Sequence, residues 1–409
     1  MDSSTLRSAD AAGHAATLIC AAVLLALAVA MGVGRFAFTP MFPLMVRDGL
    51  LDSQAGAWLA AANYLGYLAG ALTAGRLRVR AATLLGLGLI GTLLTTAAVG
   101  WTGSLPAWAL LRFVAGALSA WVLVATTAWG LGWLSALGRA NLAGLAFSGV
   151  GLGIAAAGLF CMLAPAPGRS SSTLWIDLAV LAAIATLLPL AAIFKLPVPP
   201  APPHADAAHA DATAQTGTGT GAGKGASTGG LILCYSLFGF GYILPATYLP
   251  ALARQLVDDP YVFGLAWPLF GAAAAVSTVV ASWRLGHVNR VSVWAVCHVL
   301  MALGVLLPAV WTSLAGVSIA ALLVGGTFMV ITMVSMQEVR ARAEGHATLA
   351  LGRMTAGFAL GQLAGPLVNA GIARMSATPA VALQLALMLS AAGLLASGVY
   401  LLYLSKGKP

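Results

Sequence analysis

Residues 32–47 read GVGRFAFTPMFPLMVR, and residues 239–254 read GFGYILPATYLPALAR. Gly32, Gly34, Pro43 and Arg47 align with Gly239, Gly241, Pro250 and Arg254, an offset of 207. A second pair of segments agrees independently: Gly144, Gly149 and Gly153 fall on Gly352, Gly357 and Gly361, an offset of 208. Single glycine matches arise by chance in a chain with 48 glycines, but near-equal offsets in two separate regions do not. The chain therefore reads as a duplication, two halves built to one plan.

The surroundings of these strings say what is duplicated. The 409 residues are 60% apolar and only 8% charged, with a mean hydropathy of +0.94. A soluble domain carries about 25% charged residues, so the composition excludes a soluble enzyme, a disordered chain and a nucleic-acid-binding module. Apolar stretches of about 20 residues, enough to cross a bilayer, occur twelve times: 16–44, 53–75, 80–100, 106–133, 141–164, 174–195, 230–253, 261–283, 291–311, 313–336, 347–372 and 379–404. They lack the alternation of barrel strands, and lipid leaves no partner for open backbone groups, so they are expected to be helices. The first runs too long for a cleavable signal peptide and reads as a first span.

With the N-terminus inside, thirteen Lys and Arg fall in inner segments and four (Arg47, Arg169, Arg254, Arg374) in outer ones. That asymmetry is the positive-inside pattern, and an even span count returns the C-terminus to the cytoplasm. Residues 197–229, rich in Pro, Ala, Gly and Thr, have little to bury and read as a flexible cytoplasmic linker between halves 1–196 and 230–409. The doubled His-Ala-Asp-Ala around His204 and His209 has two readings, a metal site or part of that solvated linker, and the linker is preferred. Cys20, Cys161, Cys234 and Cys297 lie far apart inside apolar segments, as small buried hydrophobes do.

Six plus six spans around a central cytoplasmic linker resemble the major facilitator superfamily of secondary transporters. Arg112-Phe-Val-Ala-Gly116 in the fourth span is similar to that family's Arg-x-x-x-Gly element, and the glycine-rich fifth span to its packing motif. The family's Asp-Arg-x-Gly-Arg/Lys turn is reduced here to Gly75-Arg-Leu-Arg-Val-Arg80, with a second copy Trp283-Arg-Leu-Gly-His287. Both lack the acidic residue on which an Asp-based charge lock depends. The string from Gly32, AGAWLAAANYLGYLAGAL from Ala55, FGFGYILPATYLP from Phe238 and ALGQLAGPL from Ala359 resemble the YbfB/YjiJ-like branch. The resemblance implies an all-α membrane protein of twelve transmembrane helices in two pseudo-symmetric halves, in the inner membrane, working by alternating access around a midplane site.

Three arginines lie inside spans: Arg35, Arg112 and Arg353, the last near enough to an end to reach water. A mid-span arginine costs roughly 2.5–3.5 kcal/mol on insertion scales. All eleven acidic residues sit in tails, loops or span ends, so no carboxylate neutralises Arg35 or Arg112. One reading makes both arginines clamps for an anionic solute, since a guanidinium presents planar paired donors. The other makes them structural, bonded to carbonyls freed by Pro40 and Pro43 or packing helices together. Helical spacing places Arg112, Gly116, Ser119 and Thr126 on one face of the fourth span, and Asn63, Gly66, Tyr67 and Gly70 on one face of the second. Tyr235, Phe238 and Tyr242 share a face of the seventh span, where Tyr242 aligns with Arg35. Gln362, between two glycines of the eleventh span, completes the set of expected solute contacts.

No nucleophile with a base, no phosphate loop and no His/Cys cluster appears, so neither enzyme activity, cofactor nor metal is expected. The expected partners are a small organic solute, an organic anion by this reading, and the bilayer. The energy source is an ion or solute gradient, with a proton or sodium as the coupling ion, although no mid-span carboxylate is present to carry a proton. Two rivals remain: efflux of amphiphilic drug-like compounds, and a non-transporting membrane sensor or scaffold.

Overall fold

The computed structural model describes residues 3–163, 168–199, 228–256, 264–343 and 346–406. They form α1 (Ala12–Arg47, continuous with a polar lead-in from Ser3), α2 (Ser53–Ala74), α3 (Ala81–Trp101), α4 (Leu105–Ala136), α5 (Ala143–Leu163) and α6 (Ser171–Lys195). The second half contributes α7 (Thr228–Leu256), α8 (Ala266–Arg284), α9 (Arg290–Val310), α10 (Leu314–Ala341), α11 (Ala347–Ala373) and α12 (Pro379–Lys406). No strand occurs among the described residues. The expected linker lies almost wholly outside them, as do both copies of the His-Ala-Asp-Ala repeat.

The turns start helices in a consistent way. Asp52, Ser104, Ser170, Asn289 and Ser313 each accept a hydrogen bond from a first-turn amide of α2, α4, α6, α9 and α10. A short polar side chain thus satisfies one of the donors that every helix start leaves open. Eleven helices are long and apolar enough to cross a bilayer. The twelfth expected span, α2, has the length, 22 residues, but carries Gln54, Asn63, Tyr64 and Tyr67. It meets the requirement by turning its polar side inward: Asn63 and Tyr67 are buried, while Trp58 and Leu65 face out.

Small residues, not large ones, hold the bundle together, as expected where lipid competes for apolar side chains. Gly153 on α5 lies directly against Gly32 and the main chain of Ala28 on α1, so any Cβ there would overlap the neighbouring backbone. Its repeat partner Gly361 on α11 lies in the same way against the main chain of Ser236 and Phe240 on α7. Gly116 on α4 meets the carbonyl of Asn63 on α2, and Gly325 on α10 meets that of Phe270 on α8. Asn63 and Phe270 are 207 positions apart. Corresponding residues thus make corresponding contacts in the two halves.

The halves meet along two seams, α5 against α8 and α2 against α11. Both seams are tight at the end of the bundle that carries the chain termini, here called the terminal face. Ser282 on α8 donates its hydroxyl to the carbonyl of Asn141 at 2.8 Å and accepts from the amide of Gly144 at 3.2 Å. A neutral hydroxyl therefore ties α8 to the start of α5, at the turn whose acidic residue is missing. Across the pseudo-symmetry axis, Gly75 on α2 sits against the backbone of Leu349 on α11. Ser282→Ala removes both cross-half bonds, worth about 1 kcal/mol each at most. It is expected to raise the rate at which a cysteine at Ala71 reacts with a water-soluble maleimide by a few-fold; an unchanged rate would show that Ser282 does not hold this face shut.

The opposite, distal face carries its own charge cluster within the first half. Arg47 pairs with Asp48 at 2.8 Å and bonds the carbonyl of Arg169, which pairs with Asp177. Burial pushes the Asp48 carboxyl up, but the Ser171 amide and hydroxyl and the Arg47 guanidinium outweigh it and hold it below the usual carboxylate range.

Candidate functional site

The centre of the bundle is organised by an irregularity in α1. Ala28–Phe36 is wound as a nine-residue π-helix, after which Phe38–Arg47 resumes the α-helical turn. Wide turns of this kind cluster at functional positions because they change the direction in which following side chains point. Pro40 lies just beyond and has no amide hydrogen to return to the preceding turn. Arg112 on α4 supplies donors at this junction: Nη1 to the carbonyl of Gly34 at 3.2 Å and Nη2 to that of Arg35 at 3.1 Å. Its guanidinium carbon also stands 4.6 Å from the Phe38 ring.

Two further expected contacts belong to the same supporting layer. Asn63 Nδ2 donates to the carbonyl of Arg112 at 2.9 Å, joining α2 to α4. The Ser119 hydroxyl bonds the carbonyls of Ala30 at 2.9 Å and Ala115 at 2.6 Å, joining α4 to α1. Arg112, Asn63 and Ser119 therefore hold main chain in place behind the π-helical segment.

Arg35 is placed differently. It is 3% exposed, and its one hydrogen-bonded nitrogen, Nη2, donates to Gln362 Oε1 on α11. Gln362 Nε2 in turn donates to the hydroxyl of Tyr242 on α7. The Arg35 guanidinium lies flat over the Tyr67 ring of α2, 3.5 Å from its centroid. A polar chain thus runs from the first half to the second through Arg35, Gln362 and Tyr242, with Tyr67 beneath it. Arg35 Nε and Nη1 have no hydrogen-bond partner. No Asp or Glu is buried among the described residues.

Around this chain stands a shell of rings. Tyr242 stacks on Phe328 of α10 at 4.8 Å and on Phe358 of α11 at 5.4 Å. Phe238 touches the same two rings at 5.7 and 5.1 Å. Phe36, beside Arg35 in the chain, meets Phe328 edge-on at 6.1 Å. Tyr235 lies one turn further along α7, 5.3 Å from Phe238. The site therefore combines one cation lacking a counter-charge with flat apolar walls, a combination able to take an anionic group and an apolar body together.

The structure brings together four of the expected contacts, Arg35, Tyr67, Tyr242 and Gln362, and sets Arg112, Asn63 and Ser119 behind them. Sequence reasoning missed Phe328 and Phe358. Phe358 was accessible to it, since it precedes Gln362 by four residues and so shares its helix face. Phe328 had no local signal.

His298 on α9 is fully buried and engaged at both nitrogens. Trp294 Nε1 donates to Nε2 at 2.8 Å, and Nδ1 lies 2.9 Å from the Ser397 hydroxyl. Since the indole can only donate, Nε2 is the acceptor and Nδ1 carries the hydrogen. This is a packed neutral imidazole. Among the described residues, no group of three His, Cys, Asp or Glu is placed to hold a metal ion, and the four cysteines are free and buried.

No curated protein matches the sequence. The crystal structure of the human organic anion transporter MFSD10 (TETRAN) has the same fold, with a TM-score of 0.67 at 17% identity, over 95% of this chain and 99% of that one. The model of the family described as "Uncharacterised MFS-type transporter YbfB" matches residues 27–402. A continuous match over both halves, the duplicated helix seams and the twelve-helix architecture agree, and the chain belongs to the YbfB-type family of major facilitator transporters, a family of carriers and not of enzymes.

Proposed function

We propose that this transporter moves a small organic anion with an apolar or aromatic body by alternating access, with Arg35 as the anion-holding residue. The observation that carries the reading is Arg35 itself: a buried guanidinium with no buried carboxylate nearby and two nitrogens lacking partners. Such a group costs several kcal/mol to keep out of water unless something negative joins it. Both two-pronged edges of a guanidinium include Nη2, the nitrogen bonded to Gln362. A carboxylate bound by two prongs therefore takes the place of the Gln362 amide oxygen, while Tyr242, Phe358, Phe328 and Tyr67 pack against the rest of the solute. The charged turns at the terminal face, including Arg76, Arg78, Arg80, Arg139, Arg284 and Arg290, favour placing that face in the cytoplasm of an inner-membrane protein.

Thermal unfolding of the purified protein with matched pairs of compounds tests the proposal. Benzoate and phenylacetate are expected to raise the unfolding temperature, whereas benzamide and phenylacetamide leave it unchanged. A ligand at about 100 times its dissociation constant stabilises by roughly 2.7 kcal/mol. Equal stabilisation by the amides would remove the anion from the proposal and favour an amphiphile exporter built on the aromatic shell.

A further inference from the structure

We infer that this carrier is an exchanger: it returns across the membrane only when loaded, trading one organic anion for another, and carries little net flux. The inference rests on the organic-anion reading above and adds how the cycle is driven. Its basis is a charge imbalance in the closed arrangement of the site. Arg35 and Arg112 are both buried, at 3% and 5% exposure, and no carboxylate among the described residues is buried with them. Arg112 is held by main-chain oxygens of α1. Arg35 has only the neutral oxygen of Gln362 and the face of Tyr67.

A carrier that alternates between faces must pass through an arrangement closed at both. When the site is open to water, hydration stabilises Arg35, whether or not solute is present. When it is closed and empty, the guanidinium faces an amide oxygen and aromatic rings, and its charge is not cancelled. A bound anion cancels it and also fills both unpartnered nitrogens. Closure is therefore favoured with an anion aboard and disfavoured without one. The only cross-half substitute for the solute is the Gln362 amide oxygen, which carries a partial charge and no net charge. A carrier coupled to a proton would need a group that neutralises the empty site by releasing one. No buried carboxylate among the described residues offers this, and the buried His298 is occupied by Trp294 and Ser397.

The test uses the full chain in proteoliposomes, with radiolabelled benzoate as the probe. Vesicles loaded with labelled benzoate are diluted into buffer with or without unlabelled benzoate outside. Efflux is expected to be at least about tenfold faster with external benzoate, as follows from a 1.4 kcal/mol difference in barrier between loaded and empty return. One-for-one exchange of monoanions moves no net charge, so an imposed potassium diffusion potential should leave it unchanged. Equal efflux with and without external benzoate would overturn the exchange inference and leave the anion carrier standing. No flux in either case, from protein that is monodisperse, would overturn the organic-anion reading beneath it. Gln362→Glu gives an independent arm. A fixed carboxylate beside Arg35 neutralises the empty site, so benzoate exchange and benzoate-induced thermal stabilisation should both be lost, with the folded protein retained. Retention of full exchange by Gln362→Glu would also overturn the inference.

Discussion

Arg35→Met is expected to abolish transport while leaving the protein as stable as before or more so, and Arg112→Met is expected to do the reverse to stability. The two arginines look alike in the sequence, each alone in a hydrophobic span. Their surroundings separate them. Arg112 bonds the carbonyls of Gly34 and Arg35; removing it leaves two buried oxygens without charged donors, at a cost of about 1.5–3 kcal/mol. Arg35 bonds no main chain, and its substitution relieves a buried charge that lacks a counter-ion. Replacing buried charged groups by apolar ones of similar size is often neutral or stabilising by about 1–4 kcal/mol. Thermal unfolding in detergent, together with benzoate exchange at matched protein amounts, checks both claims. A lower unfolding temperature for Arg35→Met would mean that Arg35 is a structural residue like Arg112, and the anion proposal would lose its support.

The second large effect is expected at the terminal face. Gly75 approaches Leu349 so closely that an added Cβ would lie 2.5 Å from the Leu349 Cα, a main-chain atom that cannot turn aside. The contact joins α2 to α11, one half to the other, so relief does not require either half to unfold. Gly75→Leu should instead push the halves apart at this end and hold the carrier open there. A cysteine at Ala71, which is 1% exposed at the same seam, should then react with a water-soluble maleimide at least about tenfold faster, the change expected from shifting a two-state equilibrium by 1.4 kcal/mol. Exchange of benzoate should fall with it, because a carrier held open at one face cannot complete its cycle. Gly103→Leu is the control, since a Cβ there meets nothing within 4 Å. Slow labelling of the Gly75→Leu protein would show that this contact does not gate the terminal face.

Much of this was legible before any coordinates. Gly153 and Gly361 stand out at a common offset because each must let another helix backbone come close, and that demand leaves the same residue in both halves. Arg35 and Tyr242 occupy equivalent repeat positions yet differ in chemistry, which marked them as site residues by the break in symmetry. α2 illustrates a limit. Its polar residues lower its apolarity below that of the other spans, and only its neighbours α4 and α11 explain why Asn63 and Tyr67 are tolerated there.

The amino-acid sequence alone determined the membrane class, the duplication and the absence of a mid-span carboxylate, because these depend on which residue types recur and where, not on how helices face one another. The tertiary structure decided what each arginine does. A guanidinium reaches far from its own helix, so whether it meets a carbonyl, as Arg112 does, or a glutamine and a tyrosine face, as Arg35 does, is set by helices far away in the chain. The π-helical turn of α1 and the rings of Phe328 and Phe358 were likewise settled by packing, since no local pattern of residues encodes the neighbour that will stand across the gap.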